Sequence, residues 1–499
     1  MVQQQMNGSL SIRSKQRWLF VAVACVSVFS LTTCARGAPR TDEERVAFWI
    51  EKLAADNDAT VRAYAAAMLG QIADADADQS TLIETLMADP DIHVRTNAAT
   101  ALGRIGGETL LRSVDALLTA MKHDDAGLRS NAAMALAGVD PSLPADHVDA
   151  LIVALGDVTL EVSVYCATAL AKIGAPAIDD LVAALADPDQ KAGAASALSQ
   201  ILDEIPPDHL PALVNGLADD DARVRRGCAQ VLGRIGDAVV PDLVKVLDSG
   251  PQHAKIAAVV ALTQLALLDA TQLIPHVAVL IKALDDESNE VRAPCATMLG
   301  EMGSAAEAQL TITLATGSGH ARAGAAKALA LIVPHVSEEY VPNLVAGLGD
   351  MQSLVRRSCR LAIANVGPMA GLDLIKALDP NSEAKNRLEI LNSLIEIGPH
   401  ADALVAVLLQ ALKDEDVYVR LRAVEVVRDE VGSNSDIVSA AMIDRFENDP
   451  EVSVQLAAIG ALVVNPWGGR ANEAYWHAAR NAGGRFGLGH FGAVIRRRH

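Results

Sequence analysis

The chain has 499 residues and is 51% hydrophobic, yet only 3% of its residues are aromatic. Small and aliphatic side chains must therefore build the core, which suits closely packed helices and disfavours a β-sandwich. The formal charge is −20; residues 1–38 carry +4 and residues 466–499 carry +5, which leaves about −29 for the middle. A body that acidic repels phosphate backbones and argues against nucleic acid as a partner.

At the start, Arg13, Lys15 and Arg17 precede the uncharged run from Trp18 to Leu31. A basic region followed by an apolar core too short to span a bilayer comfortably reads as a secretory signal, here residues 1–37. Two exits fit. Leu31-Thr32-Thr33-Cys34 resembles a bacterial lipobox, although Thr33 stands where Gly, Ala or Ser is usual, and it would place a lipid on Cys34. Ordinary cleavage near Ala35-Arg36-Gly37 fits equally. The expectation is an exported protein, periplasmic or envelope-associated, attached to a membrane through its N-terminus in the lipidated case.

From Val94 to Gly106 the chain reads VRTNAATALGRIG. Val94, Ala98, Ala101, Leu102 and Ile105 form an apolar stripe at helical spacing. Asp89-Pro90-Asp91 signals a turn and a cap before it, and Gly106-Gly107 closes it. A second apolar helix, Leu82 to Met87, precedes the turn. This unit recurs. Aligned on Arg95, the equivalent positions are Arg62, Arg95, Arg129, Ser163, Lys191, Arg225, Lys255, Arg292, Arg322, Arg356, Arg387, Arg420 and Ser453, eleven of the thirteen being basic and 28 to 37 residues apart. Such periods mean a helical solenoid in which each repeat buries its apolar face only against its neighbours. From Ser163 to Arg387 short steps (28, 30, 30, 31) interleave with longer ones (34, 37, 34), so the middle reads as a two-repeat block. The longer units carry proline-bearing connections, as in Pro206-Pro207 and Val333-Pro334.

The recurring acidic turn, Val-Arg, Ala-Ala and Ala-Leu-Gly-x-Ile-Gly elements, as in Asp91 to Gly106 and Asp221 to Gly236, resemble HEAT repeats, specifically the short bacterial type also found in phycobilisome-lyase proteins. The resemblance spans roughly residues 42–465 and implies an all-α, α-α superhelix of about thirteen helix pairs, a solenoid over residues 40–465. It further implies that the helices opened by Val-Arg line the concave face. Asp58, Asp91, Asp125, Asp189, Asp221, Asp286 and Asp416 stand ahead of helix starts, where a carboxylate caps free N–H groups. The following arginine is placed to reach the neighbouring repeat's aspartate and tie turn to turn.

Cys166, Cys228, Cys295 and Cys359 each stand three residues after an anchor, in the small seat that Ala98 holds. Alternate repeats place them near 20 Å apart, at about 10 Å per helix layer, so free packing thiols are expected. Asp74, Asp76 and Asp78 look like the start of a calcium loop, but Gln79 and Thr85 occupy the places that need Gly and Glu. The histidines, among them His209, His276, His335 and His400, form no His-x-x-x-His or His-Glu pair. That absence argues against the di-iron chemistry of deoxyhypusine hydroxylase, another HEAT-repeat family. No nucleophile elbow, phosphate loop or dinucleotide fingerprint occurs.

Nine residues after the anchors stand Arg104, Lys172 and Arg234 in the first half and Glu301, Glu396 and Asp429 in the second. They suggest a polar stripe on the concave face that changes sign along its length and orients an extended partner. After Pro466 the repeat pattern stops, and residues 466–499 form a tail rich in glycine, arginine and aromatic residues. It reads as a loose tail, as a cap over the last repeat through Tyr475, Trp476 and Phe486, or as a contact to an anionic surface. The functional expectation is a non-catalytic protein-protein interaction scaffold without a cofactor or metal. The alternative is a bilin-lyase-like enzyme or enzyme accessory subunit.

Overall fold

The structure is a computed structural model that describes residues 41–73, 79–106, 110–139, 143–202, 204–379, 381–397, 405, 408–430 and 436–464. The signal, Cys34, the acidic run from Asp74 to Asp78, His400 and the tail after Val464 lie outside them. The chain divides into two compact units, Met1–Ala212 and Leu213–His499. Among the described residues all regular structure is helical, as the sequence predicts.

In the first unit the pairs are α1 (Asp42–Ala55) with α2 (Ala59–Ile72), α3 (Ser80–Ala88) with α4 (Ile92–Ile105), α5 (Val114–Ala120) with α6 (Ala126–Ala137), α7 (Val148–Ala154) with α8 (Leu160–Ile173), and α9 (Ile178–Ala184) with α10 (Lys191–Gln200). The helix α11 (Leu210–Gly216) runs across the boundary. The second unit continues with α12 (Ala222–Ile235), then α13 (Val240–Ser249) with α14 (Gln252–Asp269), α15 (Val277–Ala283) with α16 (Asn289–Glu301), α17 (Ser304–Thr316) with α18 (Gly319–Leu331), α19 (Val341–Gly347) with α20 (Ser353–Val366), and α21 (Gly371–Ala377) with α22 (Ala384–Ile397). It ends with α23 (Val417–Glu430), then α24 (Asp436–Asn448) with α25 (Val452–Val464). Within each unit the second helices of successive pairs pack more closely on one another than the first helices do, which puts them on the inner side of the stack.

Alanine makes that close packing possible. In α4 the buried residues are Val94, Ala98, Ala99, Ala101 and Leu102, while Ile105 is half-buried. A Cβ on Gly70 would stand 2.7 Å from the Ala101 Cα, and one on Gly103 would stand 2.8 Å from the Ala135 Cα. Those two glycines let the helix backbones touch. The stretch Gln252–Ala283, which holds α14 and α15, contains a window apolar enough to cross a membrane by composition, but 44% of that window is buried inside the fold. Three of the scarce aromatic residues meet at the first pair, where Trp49 stacks edge-on with Phe48 and Tyr64 at 5.0 and 5.3 Å.

The alternating period resides in the link from one pair to the next. Gly106, Gly174, Gly236, Gly303 and Gly367 close second helices at φ between 60° and 98°, a left-handed value open to glycine without a Cβ clash. After Gly174 and Gly236 a 3-10 turn follows at once, Ala175–Ala177 and Asp237–Val239. The longer units instead leave the helix through an extended residue, Ile201 or Ile332, and cross a proline-bearing link.

The turns hold two kinds of carboxylate. Asp58, Asp91, Asp125, Asp221 and Asp416 accept from backbone N–H groups at helix starts, as expected of caps. Asp189 does not: the residue before α10 is Gln190, and Asp187 accepts from the N–H groups of Asp189 and Gln190. Asp286 does not cap either, because Ser288 occupies the cap position. Asp286 belongs to the second kind, two residues before the cap. There it accepts the N–H two residues on and the basic side chain of the preceding repeat. The ties are Arg62–Asp89 at 2.7 Å, Arg129–Asp157 at 2.6 Å, Lys255–Asp286 at 3.3 Å, Arg322–Asp350 at 2.6 Å, Arg387–Asp414 at 2.7 Å and Arg420–Asp449 at 2.9 Å.

Each tying arginine also grips its own turn. Arg62 Nη1 donates to the carbonyls of Asp56 and Asn57, and Arg420 Nη1 to those of Asp414 and Glu415. The ladder breaks where the next turn lacks the acceptor. After Arg95 the next turn has His123 at that position, and Arg95 donates instead to the Leu86 carbonyl. Arg225 and Arg292, ahead of Ser249 and Thr316, hold the carbonyls of their own turns.

Candidate interaction surface

Most chemistry-bearing side chains are consumed by the fold. Burial alone would raise the pKa values of Asp89, Asp157, Asp350 and Asp449, but hydrogen bonds from the tying arginine and from a turn N–H outweigh it and hold all four below the usual carboxylate range. The four repeat cysteines are free and buried, and burial pushes each thiol up to about 12, which makes them inert packing groups as expected. Cys228 and Cys359 face Gly216 and Gly347 on the preceding helix, which leave room for sulfur. Thr85, in the place a calcium loop needs glutamate, is buried and donates to the Thr81 carbonyl.

Clefts open between the turns of successive repeats and are lined by the ladder itself: Arg129 with Asp157, Lys255 with Asp286, and Arg387 with Asp414. Those charges are already paired. Among the described residues no group of three or more His, Cys, Asp or Glu is placed to hold a metal ion. His209 Nε2, in the 3-10 turn Pro207–His209 before α11, lies 2.8 Å from Asp179 Oδ1 on α9.

The stripe residues fare unequally. In the first unit Arg104 is exposed in the last turn of α4. Lys172 has an exposed stem, but its ammonium donates to the carbonyls of Ala137 (2.7 Å) and Val139 (3.3 Å), a cation at the C-terminus of α6. In the second unit Arg234 and Glu301 are exposed at the ends of α12 and α16. Glu396 Oε1 stands 3.0 Å from Arg360 Nε, close enough to pair in charge although not aligned for a hydrogen bond. The side chain of Asp429 lies outside the described residues.

Two features escaped the sequence reading. Arg360 stands where Ala99, Ala133, Ala167 and Ala229 stand in their repeats, and Glu389 on α22 answers it at 3.3 Å while also binding Arg356 at 3.3 Å. A charge at an alanine seat was the available signal. The other is the second arginine of Val224-Arg225-Arg226, whose side chain is exposed on α12.

Paired helices stacked through their second members define an all-α solenoid. A sequence profile of HEAT repeats matches residues 46–137, 114–199, 178–263 and 276–365, and the chain belongs to the HEAT-repeat family. The match does not extend to the phycobilisome-lyase-like type. No curated protein matches in sequence. Among solved structures the chain is similar to Kap121p bound to RanGTP, at 14% identity and a TM-score of 0.50, covering 89% of this chain and 54% of that one. It is also similar to the karyopherin Kap121p bound to the SUMO protease Ulp1p, at 13% identity and a TM-score of 0.49, covering 89% and 55%. The chain thus spans just over half the length of these structures, and the likeness is one of fold.

Proposed function

We propose that this protein is a non-catalytic scaffold that binds a protein partner on the layer formed by its second helices. One observation carries the reading. The basic anchors, the aspartates they tie and the repeat cysteines are committed to ties, caps and packing, and Arg104, Arg234 and Glu301 are exposed at the ends of second helices. A stacked array of that kind offers an extended surface rather than a reaction pocket. The signal-like residues 1–37 support an exported protein, and Cys34 supports a lipid anchor at a membrane. Charge reversal at Arg104 together with Arg234 is expected to weaken partner capture from an envelope fraction while leaving helicity intact. Unchanged capture would remove the stripe from the proposal.

A further inference from the structure

Resting on that scaffold reading, we infer that the exposed face shared by α12 and α14 docks an acidic, apolar segment of a partner protein. The α12 sequence ARVRRGCAQVLGRI contains no carboxylate. Its exposed residues Arg226, Gln230 and Arg234 follow at i, i+4 and i+8, so the two arginines are about 12 Å apart along one side. Arg223 is also exposed but is held by Asp221 at 2.7 Å. Arg226 makes no ion pair or hydrogen bond among the described residues, in a chain whose net charge is −20.

Beside this row α14 presents Val260, 43% exposed, and Leu267, 71% exposed, with Gln264 half-buried between them and Ile256 half-buried one turn before Val260. The polar groups of α14 are otherwise engaged: Lys255 and Gln252 with Asp286, His253 with the Ala218 carbonyl, and Asp269 with Thr271. The two rows form one surface. A Cβ on Gly233 would stand 2.9 Å from the Gln264 Cβ, so Gln264 lies directly across α12. On the far side of α14 the exposed residue at this level is Glu301, which ends the basic patch and gives it a direction. A fitting segment carries carboxylates about two helical turns apart and an apolar side chain between them to cover Val260. A nucleic acid would meet the arginines but leave the apolar row unused.

Fluorescence anisotropy with the full chain tests this, using labelled twelve-residue peptides of alternating Glu and Leu, Glu and Ser, or Lys and Leu, and a twelve-nucleotide oligodeoxythymidine. The Glu-Leu peptide is expected to bind at least about tenfold tighter than the other three probes. The double variant Arg226→Glu/Arg234→Glu should lose about tenfold or more and Val260→Ser severalfold, while Arg112→Glu, exposed elsewhere, should change nothing. Circular dichroism checks that each variant is folded. Equal binding of the Glu-Ser peptide, insensitivity to the double variant, or tighter binding of the oligonucleotide overturns the inference. If a photo-crosslinker at Gln230 captures a partner while the Glu-Leu peptide fails, this inference falls and the scaffold reading stands. If both fail, both fall.

Discussion

Arg420 shows how a single side chain organises this fold. Its Nη1 closes its own turn, and its Nε and Nη2 reach Asp449, whose side chain is fully buried. Removing one member of a buried pair strands the other without water, so Asp449→Ala is expected to cost about 3–5 kcal/mol, read as a lowered urea midpoint. Asp42→Ala, which breaks the exposed pair with Arg45, should leave that midpoint unchanged. The same carboxylates set the acid limit. Because Asp89, Asp157, Asp350 and Asp449 are held below their unfolded values, the unfolded chain binds more protons at low pH. Their stabilisation is complete above about pH 4 and is lost as pH falls through the folded values, so a thermal midpoint flat from about pH 5 to 7 should drop steeply below pH 4. At this scale the sequence revealed the anchors and the cysteine seats. It did not reveal which carboxylate of each Asp-x-Asp turn faces back along the stack, because both residues are aspartates and only backbone direction separates them. The breaks at His123, Ser249 and Thr316 follow once that position is known.

Helix ends and helix contacts were more legible than individual pairings. Capping aspartates, closing glycines and apolar stripes act within a few residues, and α4 begins and ends where those signals stand. The alternation of spacing was visible as arithmetic, and its cause is the alternation of a glycine-closed turn with a proline-bearing link. Closeness of the second helices was less visible, since a glycine inside a helix reads as a weakness until its neighbour is known. Gly103→Val places a branched side chain against the Ala135 backbone and is expected to destabilise by about 1–3 kcal/mol in chemical denaturation. Substitution at Gly460, where an added Cβ meets nothing within 4 Å, should be far milder.

For the whole molecule, periodicity specifies architecture because every repeat restates it, and the HEAT-repeat assignment rests on many copies at once. Function has no such redundancy. A binding surface is written in the few positions where repeats differ, such as Arg226, Val260 and Arg360, and a reading aligned on what repeats share passes over them. The central claim is that partners meet the second-helix layer. Site-specific photo-crosslinking tests it most directly, with p-benzoylphenylalanine placed at Gln230 on the exposed face of α12 or at Ile312 on the exposed face of α17. The account predicts a discrete protein adduct from Gln230 and none from Ile312. Adducts from Ile312 alone, or from neither position in intact cells, would contradict it.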